Sequence, residues 1–378
     1  MNYSYWEYDS FGKSVDVAII GSGIVGLSAA ISLRQLSPSL KIMVIEKGPV
    51  SGGASLRNAG FACFGSPTEL LDDLKHRSED EVFKLVEKRW RGLLRLRSML
   101  GDDAIEYEEF GGYEVFDDEY SFAESIDAMS GFNIILKEIT GKKETFRLAD
   151  DKISAFGFNG ISHIIENCCE GQINTGKMIK AFIQKARNEG VIIINGVEVK
   201  DFKDEGDDVV LNTSWQTIRA KQLLLATNAY TPSLVMELDV KPGRAQVLIT
   251  EPIKNMKIKG TFHYDKGFYY FRNVGQRLLI GGGRNLDFKG ETTTEIEVTQ
   301  NIQDAIEKLV NEKILPGRQY KIEHRWSGLL GLGSHTKSPI VKAISPNVYC
   351  AVRLGGMGVA LGSLVGHEAA DLLNTGMR

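Results

Sequence analysis

Cysteine is scarce in this chain: four residues in 378, at Cys63, Cys168, Cys169 and Cys350, with no C-x-x-C pair. Adjacent cysteines such as Cys168 and Cys169 rarely bridge each other, so a disulfide-stapled secreted domain is disfavoured and a reducing, cytoplasmic compartment is expected. Histidine is also sparse, with six residues and neither H-x-x-x-H nor H-E-x-x-H spacing. No metal centre is expected, and His335 and His367 read as surface residues rather than catalytic bases. Excess positive charge is missing too, since the formal net charge of -4 gives no basic field for nucleic acid. No apolar run approaches the roughly 20 residues of a membrane-spanning helix, and the longest candidates, such as residues 191–194, are strand-length. Residues 1–13 are aromatic and acidic, unlike a secretory signal. Neither an internal repeat nor a low-complexity linker is found.

What is present is an ordinary globular composition, 43% hydrophobic and 25% charged. At about 100 to 200 residues per domain, the length suggests two domains, each able to bury a substantial core. The most informative segment begins at Val15–Ile20, V-D-V-A-I-I, a β-branched run suited to a parallel strand buried on both faces. It leads into Gly21-Ser22-Gly23-Ile24-Val25-Gly26, then an amphipathic helix to about Leu36, then a second strand over residues 41–45 ending at Glu46-Lys47.

This order is the dinucleotide fingerprint. Gly21 makes the tight turn, Gly23 admits the pyrophosphate to the backbone, and Gly26 permits close packing of helix on strand. Phosphates would sit on the helix N-terminus, where unpaired N–H groups and the helix dipole favour an anion. Glu46, 20 residues after Gly26, is placed to accept hydrogen bonds from the ribose hydroxyls. The fingerprint alone does not separate FAD from NAD.

Gly53-Ala54-Ser55-Leu56-Arg57-Asn58-Ala59-Gly60-Phe61 resembles the segment beneath the flavin in the D-amino acid oxidase superfamily. That family includes glycine oxidase, sarcosine oxidase, D-amino acid dehydrogenase and gamma-glutamylputrescine oxidase. Gly196-Val197-Glu198-Val199 is similar to its adenine-contacting strand, and Leu225-Ala226-Thr227-Asn228-Ala229-Tyr230 to its second cofactor turn. Arg277-Leu278-Leu279-Ile280-Gly281-Gly282-Gly283 resembles a substrate-domain strand. Trp326-Ser327-Gly328-Leu329 and Gly355-Gly356-Met357-Gly358-Val359-Ala360 resemble the C-terminal flavin clamp. The matches run in family order from about residue 15 to 373, and there is no second G-x-G-x-x-G for a separate nicotinamide.

The resemblance implies a Rossmann-like α/β FAD-binding domain interleaved with a mostly antiparallel α+β substrate domain. The first would comprise residues 1–95, 155–235 and 325–378, the second residues 96–154 and 236–324. By pattern, residues 67–100 read as helices and residues 111–158 as strand-like runs. Thr175–Asn188 and residues 295–311 read as helices, and residues 243–284 as successive strands. Ser66, Pro67 and Glu69 read as a helix start with a capping box, with no chemistry assigned.

The resemblance further implies non-covalent FAD, hydride transfer from a small amine or amino acid to flavin N5, and oxygen or a quinone as electron acceptor. Sarcosine oxidase's anchoring cysteine comes near the C-terminal clamp, and residues 331–336 contain none. Backbone N–H groups of residues 355–358 would face the N1/O2 edge of a reduced flavin. Tyr269, with Tyr270 as its alternate, is expected to line the substrate pocket. In glycine oxidase an arginine just after the W-x-G-L-like turn holds the substrate carboxylate; here Leu330 stands there. Either Arg353, expected also to contact the cofactor beside the C-terminal glycines, supplies the charge, with Arg325 and Arg57 next, or the substrate lacks a carboxylate beside the reacting carbon. The competing readings are a D-amino acid or glycine oxidase with a relocated arginine, a flavin-binding subunit without catalysis, and an NAD-only dehydrogenase.

Overall fold

Val15–Ile20 is a strand whose two faces are both covered, which is why it is apolar almost throughout. Val17 and Ile19 face packed helices, while Ala18 and Ile20 face a three-stranded meander on the other side. The computed structural model describes residues 4–12, 14–334 and 336–377. His335 and parts of the N-terminal segment discussed above lie outside the described residues.

Among the described residues, the strands form two eight-stranded sheets and one two-stranded pair. In the first sheet Val348–Val352, Thr217–Leu225, Val15–Ile20, Ile42–Glu46 and Ile192–Asn195 run parallel in that spatial order. Ile340–Ser345 closes one edge antiparallel, and Val199–Asp204 and Val209–Thr213 extend Thr217–Leu225 as the meander. The helices Ile24–Leu36, Gly358–Gly376 and Glu79–Leu100 stack outward from this sheet. Glycine sets their spacing: a Cβ on Gly92 would lie 1.9 Å from the Ala360 carbonyl oxygen, and one on Gly366 would lie 2.6 Å from that of Val25. Serines stitch the contacts, Ser363 Oγ donating to Gly92 O at 2.6 Å and Ser28 Oγ to Ser363 O at 2.8 Å.

The second sheet orders Ile322–Leu332, Lys241–Thr250, Arg277–Gly282, Tyr269–Val274, Thr261–Tyr264, Gly112–Phe116, His163–Asn167 and Phe146–Leu148. Its pairings are antiparallel except Thr261–Tyr264 with Gly112–Phe116. One face carries a core of Leu248, Phe271, Ile280 and the helix Gln300–Leu309; the other turns toward the first sheet.

Three expectations need correction. His163–Asn167 and Ile322–Leu332, assigned by sequence to the FAD-binding domain from residues 155 and 325, are strands of the second sheet. Their partners, Gly112–Phe116 and Lys241–Thr250, are distant in sequence, so local pattern carried no trace of the pairing. The strand-like stretch 111–158 contains a 22-residue helix, Glu119–Thr140, capped by Asp118 Oδ1 accepting from Ser121 N. Phe122, Ile126, Met129, Phe132, Leu136 and Ile139 recur on its inner face at helical spacing. The late helix begins at Gln300 rather than 295, because Gln246 Oε1 accepts the Thr299 N–H and ties the preceding segment to the sheet.

The helix crossing at Gly92 leaves no room for a methyl group. Gly92→Ala should destabilise the protein by about 1–3 kcal/mol through overpacking. Gly131→Ala, in an exposed helical position with no atom within 4 Å of the added Cβ, should be neutral or stabilising by up to about 1 kcal/mol. Thermal or urea unfolding of both variants checks this, and equal midpoints would contradict it.

Candidate functional site

A single cavity of about 720 Å³ runs between the two sheets. At one end lie Gly21, Gly23, Ile24 and Val25, with Glu46 and Lys47 beyond them and Val197, Glu198 and Val199 alongside. Gly21 has φ +106°, and a Cβ there would sit 2.8 Å from the Ala226 carbonyl oxygen. A Cβ on Gly26 would meet the Gly21 carbonyl oxygen at 2.0 Å, which explains why helix and turn pack so closely. The Ile24–Leu36 helix has no acidic residue in its first turn and no side-chain cap from Gly23. Ser55 Oγ accepts the Ile24 N–H at 3.0 Å, whereas Gly358–Gly376 starts at the cavity with no side-chain cap. Two helix N-termini therefore present positive dipole ends to the same space. Glu46 Oε2 accepts from Ser22 N at 3.1 Å and Ser22 Oγ at 2.9 Å, and Oε1 accepts from Gly48 N at 2.9 Å. The carboxylate thus braces the turn while lining the cavity.

Farther along, residues 54–61 form one wall. Ala54–Arg57 is a single helical turn, and Asn58 ends it, its Nδ2 donating to the Ala54 and Ser55 carbonyls and its Oδ1 accepting from Gly60 N. Trp326 Nε1 donates to Arg57 O, and Arg57 Nη1 donates to Ser327 O, both at 2.9 Å. From below, the buried Arg272 guanidinium donates to Ala59 O at 2.5 Å and Ile173 O at 3.0 Å. Gly355 and Gly356 on the opposite side would carry a Cβ into open space. Bare backbone on two walls and helix N-termini at one end suit an elongated group with an anionic middle and a flat ring system. The residues present fit FAD.

The second sheet supplies the rest. Alternation along Tyr269–Val274 sends Tyr269 and Phe271 into the far core, and Tyr270 into the cavity. The resemblance favours Tyr269, and the structure corrects that expectation by one residue, to the alternate Tyr270. Burial pushes the Tyr270 hydroxyl up to about 12, leaving it a neutral donor at physiological pH.

Arg353 requires a larger correction, both as carboxylate binder and as cofactor contact. Its backbone is left-handed, φ +66°, with its N–H held by Asn228 Oδ1 at 3.1 Å. That geometry turns the side chain outward, where Nη1 pairs with Asp239 at 2.8 Å and Nε donates to Ser338 O. Arg353 does not line the cavity, and neither do Ser22, Gly26 and Ala360, which support it from behind. Arg325 faces the opposite side of its strand, bound to Gln303 and Glu307. Arg57 lines the cavity but is engaged with the Gly52 and Ser327 carbonyls. Ala226, Thr227, Asn228, Gly328, Met357, Gly358 and Val359 are all at the cavity wall.

Sequence reading missed a buried cluster at the inner end. His263 Nε2 pairs with Glu170 at 3.2 Å, while its Nδ1 lies 3.9 Å from Glu69. Burial opposes its charge, but the Glu170 carboxylate, its hydrogen bond and Glu69 outweigh that and push it up to about 9. His263 is therefore protonated at neutral pH. Glu114 beside it is pushed up to about 7 by burial, against hydrogen bonds from Thr68. Cys63 Sγ comes within 4.8 Å of the His263 and Glu170 ligand atoms, and burial pushes its thiol up, aided by Glu170. Glu69, read from sequence only as a capping residue, does cap Ser66 and also lines the cavity. Residues so far apart in sequence share no local signal.

The family model described as DAO, FAD dependent oxidoreductase, matches residues 16–372. The chain belongs to that family and is a flavoprotein oxidoreductase. It is 24% identical to a probable oxidoreductase OrdL of Haemophilus influenzae, over 96% of this chain and 83% of that protein. It is also 24% identical to gamma-glutamylputrescine oxidoreductase of Escherichia coli, over 98% of this chain and 86% of that one. Its fold resembles the crystal structure of glycine oxidase from Geobacillus kaustophilus, with TM-score 0.77 and 19% identity, covering 96% and 95% of the two chains.

The His263 assignment has a pH signature. A histidine whose folded pKa is raised adds stability that is complete below its ordinary value near 6.5 and lost as pH rises through about 9. Wild type should therefore exceed His263→Gln in thermal midpoint most clearly at pH 6 to 7, with the gap shrinking by pH 10. A gap independent of pH would contradict the ion pair.

Proposed function

We propose that this enzyme oxidises the C–N bond of a small amine or amino acid, using FAD held without a covalent bond, and releases an imine that hydrolyses in water. The observation that carries this reading is the continuity of the cavity from the Gly21–Gly26 turn to Tyr270. Glycine oxidase and gamma-glutamylputrescine oxidoreductase, both similar to this chain, support it by their names. FAD, held by the Gly21–Gly26 turn and the walls at residues 54–61 and 355–358, would supply the hydride acceptor, with oxygen or a quinone as the final electron acceptor.

The protein's own contribution is position and environment. Phe61, Phe268 and Leu330 give the cavity an apolar lining that favours the neutral form of an entering amine. A neutral amine keeps its lone pair available as the α C–H bond breaks, so no side chain need act as nucleophile. Tyr270 would donate a hydrogen bond to the substrate, its ring held edge-on by Phe61 at 5.6 Å between centroids. His263, charged and fixed by Glu170, would hold the inner wall at a constant charge through neutral pH. With Cys63 buried and its thiol pushed up, the sulfur stays protonated, which fits a cofactor held by packing and hydrogen bonds. Free thiols at Cys63, Cys168, Cys169 and Cys350 fit a cytoplasmic site of action. No described helix is long and apolar enough to cross a membrane.

The purified protein should be yellow and release FAD on denaturation. Under anaerobic conditions a panel of amines and amino acids should contain compounds that bleach the flavin band. Tyr270→Phe should keep its FAD but reduce more slowly, by roughly three- to ten-fold if one hydrogen bond of about 0.5–1.5 kcal/mol is lost. Failure of every amine and amino acid to bleach bound flavin would contradict the proposal. Flavin left on the denatured chain would contradict non-covalent binding alone.

A further inference from the structure

Four basic side chains line the cavity among the described residues: Lys47, Arg57, His263 and Arg284. Three are occupied. Lys47 lies 3.5 Å above the Tyr230 ring at the nucleotide end, Arg57 is bound to two carbonyls, and His263 is paired with Glu170. Arg284 differs. Its Nε is buried with no hydrogen-bond partner among the described residues, Nη2 reaches Thr292 Oγ1 at 3.5 Å, the guanidinium lies 5.1 Å from the centroid of the exposed Phe288 ring, and no carboxylate among the described residues pairs with it. Its nearest acid is already spent, because Glu291 takes a two-pronged ion pair from Arg244, at 3.0 and 2.7 Å, and a hydrogen bond from Gln246.

The position of Arg284 matters as much as its lack of a carboxylate partner among the described residues. It follows the strand Arg277–Gly282, in a short 3₁₀ turn entered through Gly283 at φ +74°. The guanidinium then lies across the Lys241–Thr250 strand, where a Cβ on Gly243 would be 3.2 Å from Nε. Gly243 is the register partner of Leu330. Arg284 thus lies beside Leu330, while Tyr270 stands over Gly281 on the adjoining pair Tyr269–Val274 and Arg277–Gly282, its hydroxyl oxygen 2.7 Å from where a Cβ there would be. A planar cation and a neutral hydroxyl donor therefore line the same cavity as Phe268 and Leu330. A partly desolvated guanidinium favours a fork-shaped anion, and the carboxylate is the complementary shape.

From this arrangement we infer that Arg284 is the carboxylate anchor of the site, so that the substrate is a carboxylate-bearing amine, an amino acid in the broad sense, rather than a simple alkylamine. The inference rests on the amine-oxidising reading above for the role of the anchored molecule, but not for the anchoring. The binding step needs no proton transfer, since the carboxylate enters charged and Arg284 is charged.

FAD-loaded protein titrated with acetate and with benzoate, followed by calorimetry, tests it, with methylammonium chloride as the control that carries no carboxylate. The same samples are then mixed anaerobically with glycine, alanine and proline and with their carboxylate-free counterparts methylamine, ethylamine and pyrrolidine. Wild type should bind the carboxylates saturably, and Arg284→Met should weaken them by about 30- to 1,000-fold with FAD content kept. Arg284→Lys should be intermediate, because it keeps the charge and loses the fork. Placing the cation on the neighbouring strand, in the double variant Arg284→Met with Leu330→Arg, should recover part of the affinity. Should Arg284→Met lose its FAD, the Lys and double variants carry the test. Carboxylates that bind every variant equally, or do not bind wild type at all, would overturn the inference even if amines bleach the flavin. Carboxylate binding that depends on Arg284, in a protein whose flavin no amine or amino acid reduces, would uphold the anchor and overturn the catalytic reading instead.

Discussion

The site depends above all on where the backbone of residues 57–60 runs, and that path is set by two cations and an indole binding carbonyl oxygens. Arg272 donates to Ala59 and Ile173, Arg57 to Gly52 and Ser327, and Trp326 to Arg57. Each bond satisfies a main-chain acceptor in a region with little water, where an unpaired carbonyl costs on the order of 1–3 kcal/mol. Arg272 meets this need with no carboxylate salt bridge among the described residues, and burial brings it down to about 10, still charged throughout the physiological range. The segment belongs to neither sheet yet is bonded to the second and packed beside the first. Without it the nucleotide turn and the Tyr270 face would not share a cavity.

A consequence is the separation of labour between the two sheets. The parallel sheet offers backbone: glycine turns, helix N-termini and the brace of Glu46 on Ser22 and Gly48. Such groups suit a large cofactor, because they do not titrate and cannot rotate away. The second sheet offers side chains on the face opposite its own core, Tyr270 and His263 from its strands and Arg284 from the turn that follows one of them. Side chains on a pleated strand can be exchanged singly without disturbing the ladder. The side-chain donors of the cavity thus come from the second sheet and from the turn after one of its strands, with Arg284 laid over Gly243, the register partner of Leu330.

Much of the cofactor end was legible in the sequence because its determinants are local. A strand, a glycine turn, a helix and an acid lie within residues 15–46, and each has a spacing that follows from backbone geometry. The substrate end was not legible to the same degree. A shift of one residue exchanges the faces of a strand, which is why Tyr269 and Tyr270 could not be separated by spacing alone. Arg353 was suggested by its neighbours Gly355 and Gly356, but its left-handed backbone directs it to Asp239. The Glu69, Glu170 and His263 grouping comes from a capping residue, a loop and a strand that only the tertiary fold brings together. Helix Glu119–Thr140 escaped notice because its exposed face also carries large apolar residues such as Tyr120 and Ile134, which blur the helical period.

If one cavity positions FAD and substrate together, the cofactor phosphates should lie at the Gly21–Gly26 turn and the reacting ring between residues 58–60 and Tyr270. A crystal structure of the purified holoprotein soaked with acetate measures this most directly. The account predicts FAD spanning the cavity in that direction, no density joining it to Cys63, and acetate between Tyr270 and Arg284. An isoalloxazine ring outside the cavity, or FAD running in the reverse direction, would contradict it.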